Sequence, residues 1–178
     1  MKETAEQYIS RILGYLGSQK PLRVQAATAD RLARLVKGVP AARLKKRPTP
    51  QKWSVSDLLS HLADAEIVAA WRLRLVLGAN GTPIQAFDQD TWVEALHYSR
   101  RDPRESLETF RALRKANLAM LRRLKPAQWD NHGIHSERGV ETVTHIVRMF
   151  AGHDLNHLAQ VEAIVAAGGK RKAKAAGR

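Results

Sequence analysis

Trp53-Ser54-Val55-Ser56-Asp57-Leu58-Leu59-Ser60-His61-Leu62-Ala63-Asp64-Ala65-Glu66 is the stretch whose reading decides the fold. Ser54 is a good N-cap, and Asp57 at the third helical position comes close to a capping box. Trp53 before the cap and Leu58 at the fourth helical position can form a hydrophobic staple. The spacing predicts a helix running to about Leu77 and ending at Gly78. Its inward stripe is Leu58, Leu62, Ala65 and Ala69. His61 therefore sits at the edge of an apolar face, not on the solvent side.

Upstream, apolar positions at Ala5, Tyr8, Ile9, Ile12, Leu13 and Leu16 predict a helix over 3–16, interrupted by Gly17-Ser18. Pro21 opens a second helix that Gly38 stops, and Pro48 and Pro50 mark a loop. Downstream, 80–87 reads as loop and 88–97 as a short helix. Asp102-Pro103-Arg104-Glu105 caps a long helix that ends before Pro126. Residues 126–140 read as irregular. A last helix spans about Glu141 to Ala167 and is closed by Gly168-Gly169. Strand alternation is nowhere convincing. About four long helices in one domain, residues 1–169, give a helical bundle with room for one longer crossover, followed by a mobile basic tail over 170–178.

Composition excludes several classes. The 178 residues are 44% apolar, which suits one domain with a substantial core. There is no cysteine, so disulfides, thiolate zinc sites and a cysteine nucleophile are all excluded. Any thiol used in chemistry must arrive as a small molecule. No apolar run reaches a membrane span, and Met1 to Gln7 lacks a signal-peptide core, so the expected location is the cytoplasm. The net charge is +13, and five of the positive charges lie in the last nine residues, leaving +8 on the body. The body's Lys and Arg are scattered through helical patterns such as Arg111, Arg114 and Lys115, as on a solvated basic surface. No aromatic residues interleave the basic tail, which argues against a nucleic-acid footprint.

The chemistry candidate is His153-Asp154-Leu155-Asn156-His157-Leu158-Ala159-Gln160. Two histidines at i and i+4 share a helix face and can grip one divalent cation, but a zinc-type ion wants a third ligand. His61 is the choice for it. Three neutral imidazoles suit zinc, nickel or a similar borderline cation with open positions left over. The HExxH pattern of zinc peptidases is absent, because Asp154 follows His153 and Asn156 precedes His157. Asp64, nearly on the face of His61, either orients that imidazole or pairs with an arginine. Gln160 continues the ligand face, there to touch a ligand or make a packing hydrogen bond. His145 is rotated about 80° from His153 around the axis and should miss the metal. His132 and His135 lie in the loop feeding the last helix, either over the mouth of the site or simply exposed. Trp71, Trp92 and Trp129 read as core or interface.

The segment from Trp53 to Glu66 resembles the first metal-ligand motif of the DinB-like superfamily, which includes YfiT-like and bacillithiol transferase-like proteins. The segment from His153 to Gln160 looks like its second motif. The resemblance spans roughly residues 20–165. It implies a four-helix bundle of up-down-down-up connectivity, usually dimeric, with a divalent metal held by histidines matching His61, His153 and His157. Some members of that family transfer low-molecular-weight thiols, and others isomerise maleylpyruvate with mycothiol; the resulting expectation is a three-histidine metal, zinc or nickel, that activates a thiol or a water to attack an electrophilic small molecule. Two other readings remain open: a non-catalytic, stress-related binding module, and nucleic-acid binding through the basic surface.

Overall fold

In the computed structural model, which describes the backbone over residues 3–176 and side chains as far as Gly168, Ser54 does cap a long helix, α4 (Val55–Gly78). Ser54 Oγ accepts the Asp57 amide N–H at 3.0 Å, and the Asp57 carboxylate accepts the Ser54 amide N–H at 3.0 Å. Every residue from Ser54 to Glu66 is buried. This first half of the helix, buried on all sides, must stand at the centre of its domain. The surrounding helices are α1 (Ala5–Leu16), α2 (Pro21–Val36), α6 (Pro103–Leu121) and α7 (Val143–Ala176), with two short ones, α3 (Ala41–Leu44) and α5 (Gln89–Ala95).

The bundle consists of α2, α4, α6 and α7, and the side-chain contacts fix their directions. Along α4 and α6, Ser60 meets Ser106, Glu66 meets Arg114, and Arg74 meets Asn117, so these two run parallel. Along α2 and α7, Gln25 bonds Val147 and Thr28 bonds Asp154, again parallel. Against α6, α2 runs antiparallel, since Asp30 pairs with Arg111 while the Gln25 carbonyl accepts from Arg114. Against α7, α4 is antiparallel: Leu58 and Leu62 pack near Leu158 and Val161, whereas Leu73 and Val76 pack near Val143 and Val147. The connectivity is therefore up-down-down-up. Two consecutive parallel helices need a connection as long as themselves, and residues 79–102 supply it.

That connection is not plain loop. Residues Thr82–Ile84 form strand β1, which pairs in parallel with β2 (His132–His135), and β2 pairs antiparallel with β3 (Gly139–Thr142). The expectation of irregular chain over 80–87 and 126–140 is corrected here. Three- and four-residue strands are too short for period-2 alternation to show in sequence. Gly133 lies where β2 pairs with β1, and a Cβ there would stand 2.3 Å from Ile84 Cδ1, so a larger residue would have to displace the buried Ile84 side chain.

A second correction concerns the last helix. Gly168-Gly169 does not end it; the backbone stays helical to Ala176. Glycine costs about 1 kcal/mol in a helix relative to alanine, but it stops the chain only if it turns left-handed. The side chains of the expected basic tail, 170–178, lie outside the described residues. Helix α1 is the fifth long helix and lies across α7. It comes so close that a Cβ on Gly152 would lie 2.1 Å from the Ile12 carbonyl oxygen. None of the described helices is long and apolar enough to cross a membrane.

Candidate metal centre

His61 comes from the buried half of α4, and His153 and His157 stand one turn apart on α7, the two helices that pack antiparallel. All three rings are buried. His153 Nε2 is the middle atom, 2.9 Å from His61 Nε2 and 3.0 Å from His157 Nε2. The indole of Trp53 closes one side, with its ring 5.0 Å from that of His61, and Phe150 stands edge-on to His153 at 6.1 Å.

Proton counting tests whether this cluster fits a cation. Gln160 Oε1 lies 2.9 Å from His157 Nδ1. With that carbonyl facing it, Nδ1 carries the proton and His157 Nε2 holds a bare lone pair. A proton on His153 Nε2 would satisfy His157 but leave nothing to accept from His61. A bare His153 Nε2 could accept from His61, but would then face another lone pair at 3.0 Å. Protons thus satisfy one of the two contacts at most, whereas a cation at the shared focus satisfies all three lone pairs. The three nitrogens lie within 4.8 Å of one another, the only such group of His, Cys or acidic ligands among the described residues.

Burial also keeps the rings neutral. Desolvation, reinforced by His157, holds His61 well below the ordinary imidazole range, and His153 is lowered in the same way. His157 is brought down to about 4 by burial, against the opposing pull of its Gln160 hydrogen bond. Neutral imidazoles at pH 7 keep the lone pairs a metal needs.

The residues expected around the cluster divide. Asp64 does not orient His61. Its carboxylate accepts from Tyr98 Oη at 2.7 Å and from Arg101 at 3.0 Å, so the arginine alternative is the one realised. Asp64 follows His61 by three residues and faces the 98–101 turn rather than the ring. Gln160 supports His157, as described. The Nδ1 atoms of His61 and His153 are buried without a hydrogen-bond partner. His145 stays near Glu141 and away from the cluster, as expected. His132 and His135 do not cover the site; they lie in β2, with His135 buried against Arg72. Trp129 borders the second apolar cluster, Trp92 stacks near Phe87 at 4.7 Å, and Trp71 is 63% exposed on α4.

One group escaped the sequence reading. Arg114, taken there for surface charge, is buried behind the histidines. Its guanidinium donates to Glu66 at 2.8 Å and to both oxygens of Asp154, one of them at 2.9 Å. Asn117 donates to Glu66 at 2.7 Å, and Thr28 donates to Asp154 at 2.9 Å. The signal was present: Arg114 falls on the apolar stripe of α6, between Phe110 and Leu118. The network ties α2, α4, α6 and α7 together one residue from His153.

Two open cavities meet the histidines. One, about 600 Å³, is lined by Tyr8, Arg11, Trp53, Asn156, His157 and Gln160. The other, about 880 Å³, extends from His61 and His153 past Ala65 and Phe150 to Arg72.

The chain is similar to several known proteins. The family model described as the DinB superfamily matches residues 26–161. A protein of Oceanobacillus iheyensis named "Putative metal-dependent hydrolase OB0782" is 30% identical over 113 residues, covering 63% of this chain and 64% of that protein. Another from the same organism, "Putative metal-dependent hydrolase OB0413", is 27% identical over 134 residues, 75% and 76% of the two chains. "Putative metal-dependent hydrolase YfiT" of Bacillus subtilis is 26% identical over 110 residues, 61% of this chain and 62% of that one. The match thus spans a little under two thirds of the length of the first and third relatives. A solved structure described as "YfiT from Bacillus subtilis is a probable metal-dependent hydrolase with an unusual four-helix bundle topology" has a TM-score of 0.79 and 21% identity, covering 95% of this chain and 91% of that one. At that identity the likeness speaks for the fold.

Proposed function

The chain belongs to the DinB superfamily, and on that premise we propose that it binds a divalent metal, zinc or nickel, through His61, His153 and His157 and acts on an electrophilic small molecule. The reaction is hydrolysis, or transfer of a low-molecular-weight thiol. One observation carries the proposal: three neutral imidazole nitrogens from two helices converge in a way that proton sharing cannot satisfy. The names of the relatives, each "Putative metal-dependent hydrolase", agree with it.

When bound, such a metal lowers the pKa of a water or thiol toward neutrality and so supplies a nucleophile to a chain that has no cysteine. The chain's own residues do the rest. Gln160 fixes the proton of His157 on Nδ1, so that Nε2 faces inward. Trp53 packs against the ring of His61, and Phe150 against that of His153. Asp154, locked by Arg114 and Thr28, holds the backbone of α7 in register beside His153. The acids of α4 are all engaged: Asp57 in the cap, Asp64 with Tyr98 and Arg101, and Glu66 with Arg114 and Asn117. Of their oxygens only Asp57 Oδ1 lacks a partner among the described residues, and it is buried at the cap, so proton transfer falls to groups in the cavities or to the substrate itself. The test is a screen of esters, and of thiols paired with electrophiles, on metal-loaded and chelated protein. Turnover that disappears on chelation and returns with metal is expected; turnover indifferent to chelation contradicts the proposal.

A further inference from the structure

The larger cavity has a cation at the end remote from the histidines. Arg72 is 4% exposed and lines the same space as His61 and His153. Buried arginines normally meet a carboxylate. Arg114 in this same fold meets two, but Arg72 forms no ion pair among the described residues. Of the acids whose charge acts on it, Glu141 is held by Arg138 at 2.7 and 3.1 Å, and Glu137 makes no hydrogen bond to it. Only Nη2 makes hydrogen-bond contacts, donating to the Gln85 carbonyl at 2.6 Å and facing His135 Nε2 at 3.2 Å, while the guanidinium lies over the Phe87 ring at 5.8 Å. The second contact is a poor one. His135 Nδ1 already faces the Glu137 amide N–H at 3.1 Å, and a neutral imidazole accepts at one nitrogen only. Nε of Arg72 is buried with no partner at all.

The placement has a definite length. His61 and Arg72 are eleven residues apart on α4, about three turns, which returns them to nearly the same face on the order of 16 Å apart along the axis. Between them the helix presents Ala65, small enough to leave a channel, and α7 faces it with Met149 and Phe150. The stretch between the two ends is thus apolar along α4 and α7, while Glu3, Asp88, Asp90 and Glu137 also border the cavity.

We propose that Arg72 is the anion-binding end of an elongated substrate site, and that the substrate is a small molecule carrying a carboxylate several carbons away from its reacting centre. This rests on the reading of the three histidines as the reacting end, and it adds the substrate class. The guanidinium takes the carboxylate through a charge-assisted hydrogen bond, and the apolar stem lies along Ala65, Met149 and Phe150. Burial and the neighbouring Arg138 bring the Arg72 pKa down to about 10, which leaves it charged at neutral pH in a field that favours a counter-anion.

The test uses octanoate and its uncharged analogue octanamide, titrated calorimetrically into the full chain as purified and again after chelation. Wild-type protein should prefer octanoate by about tenfold or more, and this comparison needs no variant. Arg72→Gln, which removes the positive charge, should lose that preference, octanoate weakening to the level of octanamide. The preference should survive chelation. Equal binding of the two probes by the wild type would overturn the inference, as would an unaltered preference in Arg72→Gln. A preference that vanishes on chelation and ignores Arg72 would place the carboxylate on the metal, overturning this inference while leaving the metal site intact. An Arg72-dependent preference in a protein that holds no metal would do the reverse.

Discussion

Replacing Arg114 with methionine should be among the most destabilising single changes in the chain. The guanidinium is buried and holds two carboxylates that are themselves almost wholly inaccessible, Glu66 at 3% and Asp154 at 0%. Removing it leaves two acids facing each other's field with only Asn117 and Thr28 to support them. Breaking a buried ion pair from one side costs roughly 3–5 kcal/mol, because the abandoned charge stays desolvated. For a chain of this size that is roughly 6–20 °C in Tm. Burial already pushes the Glu66 carboxyl up, so the variant should relieve itself by taking a proton there, and its stability should fall further as pH rises. Urea unfolding followed by circular dichroism measures the loss. Adding Glu66→Gln and Asp154→Asn to Arg114→Met should recover about half or more of it, since the orphaned charges are then gone. A loss under about 1 kcal/mol, or a triple variant no more stable than the single, would refute the reasoning.

Two further outcomes are expected. Gln160→Leu should weaken metal binding by about 10- to 100-fold in a competition titration with a chromophoric chelator, because His157 loses the partner that fixes its tautomer; unchanged affinity would show that Gln160 is not needed to orient the ring. His135, lowered to about 4 chiefly by burial and then by Arg138, remains neutral in the folded chain while it titrates near 6.5 when unfolded. Between those values the unfolded state binds more protons, so stability is complete above about pH 6.5 and is lost as pH falls toward 4. The chelated wild type should lose roughly 2 kcal/mol more than His135→Gln between pH 7 and pH 4.5; parallel losses in urea midpoints would contradict this.

The fold was legible where one signal outweighed its rivals. Ser54 and Asp102 announced their helices because a cap, a nearby acid and an apolar stripe agreed. The strands were hidden because each is only three or four residues long and pairs with chain about fifty residues away or across a tight turn. Gly168-Gly169 misled because paired glycines permit a helix end without imposing one. At the site, the three histidines could be read from face and spacing. Asp64 left two partners open, and only the position of the 98–101 turn chose between them. Arg114 was hidden by its charged neighbours Arg111 and Lys115, although its place in the stripe Phe110, Arg114, Leu118 marked it as inward. Arg72 lay similarly on the face of His61, but nothing in the sequence says which acids will fail to reach it.

The central claim is that His61, His153 and His157 hold one divalent ion between them. Elemental analysis of the purified wild type against His61→Ala, His153→Ala and His157→Ala, each confirmed helical by circular dichroism, tests it directly. About one equivalent of zinc or nickel in the wild type and less than about a tenth in each variant is the expected result. Equal metal in all four proteins, or none in the wild type after growth and refolding with either ion, would contradict the account.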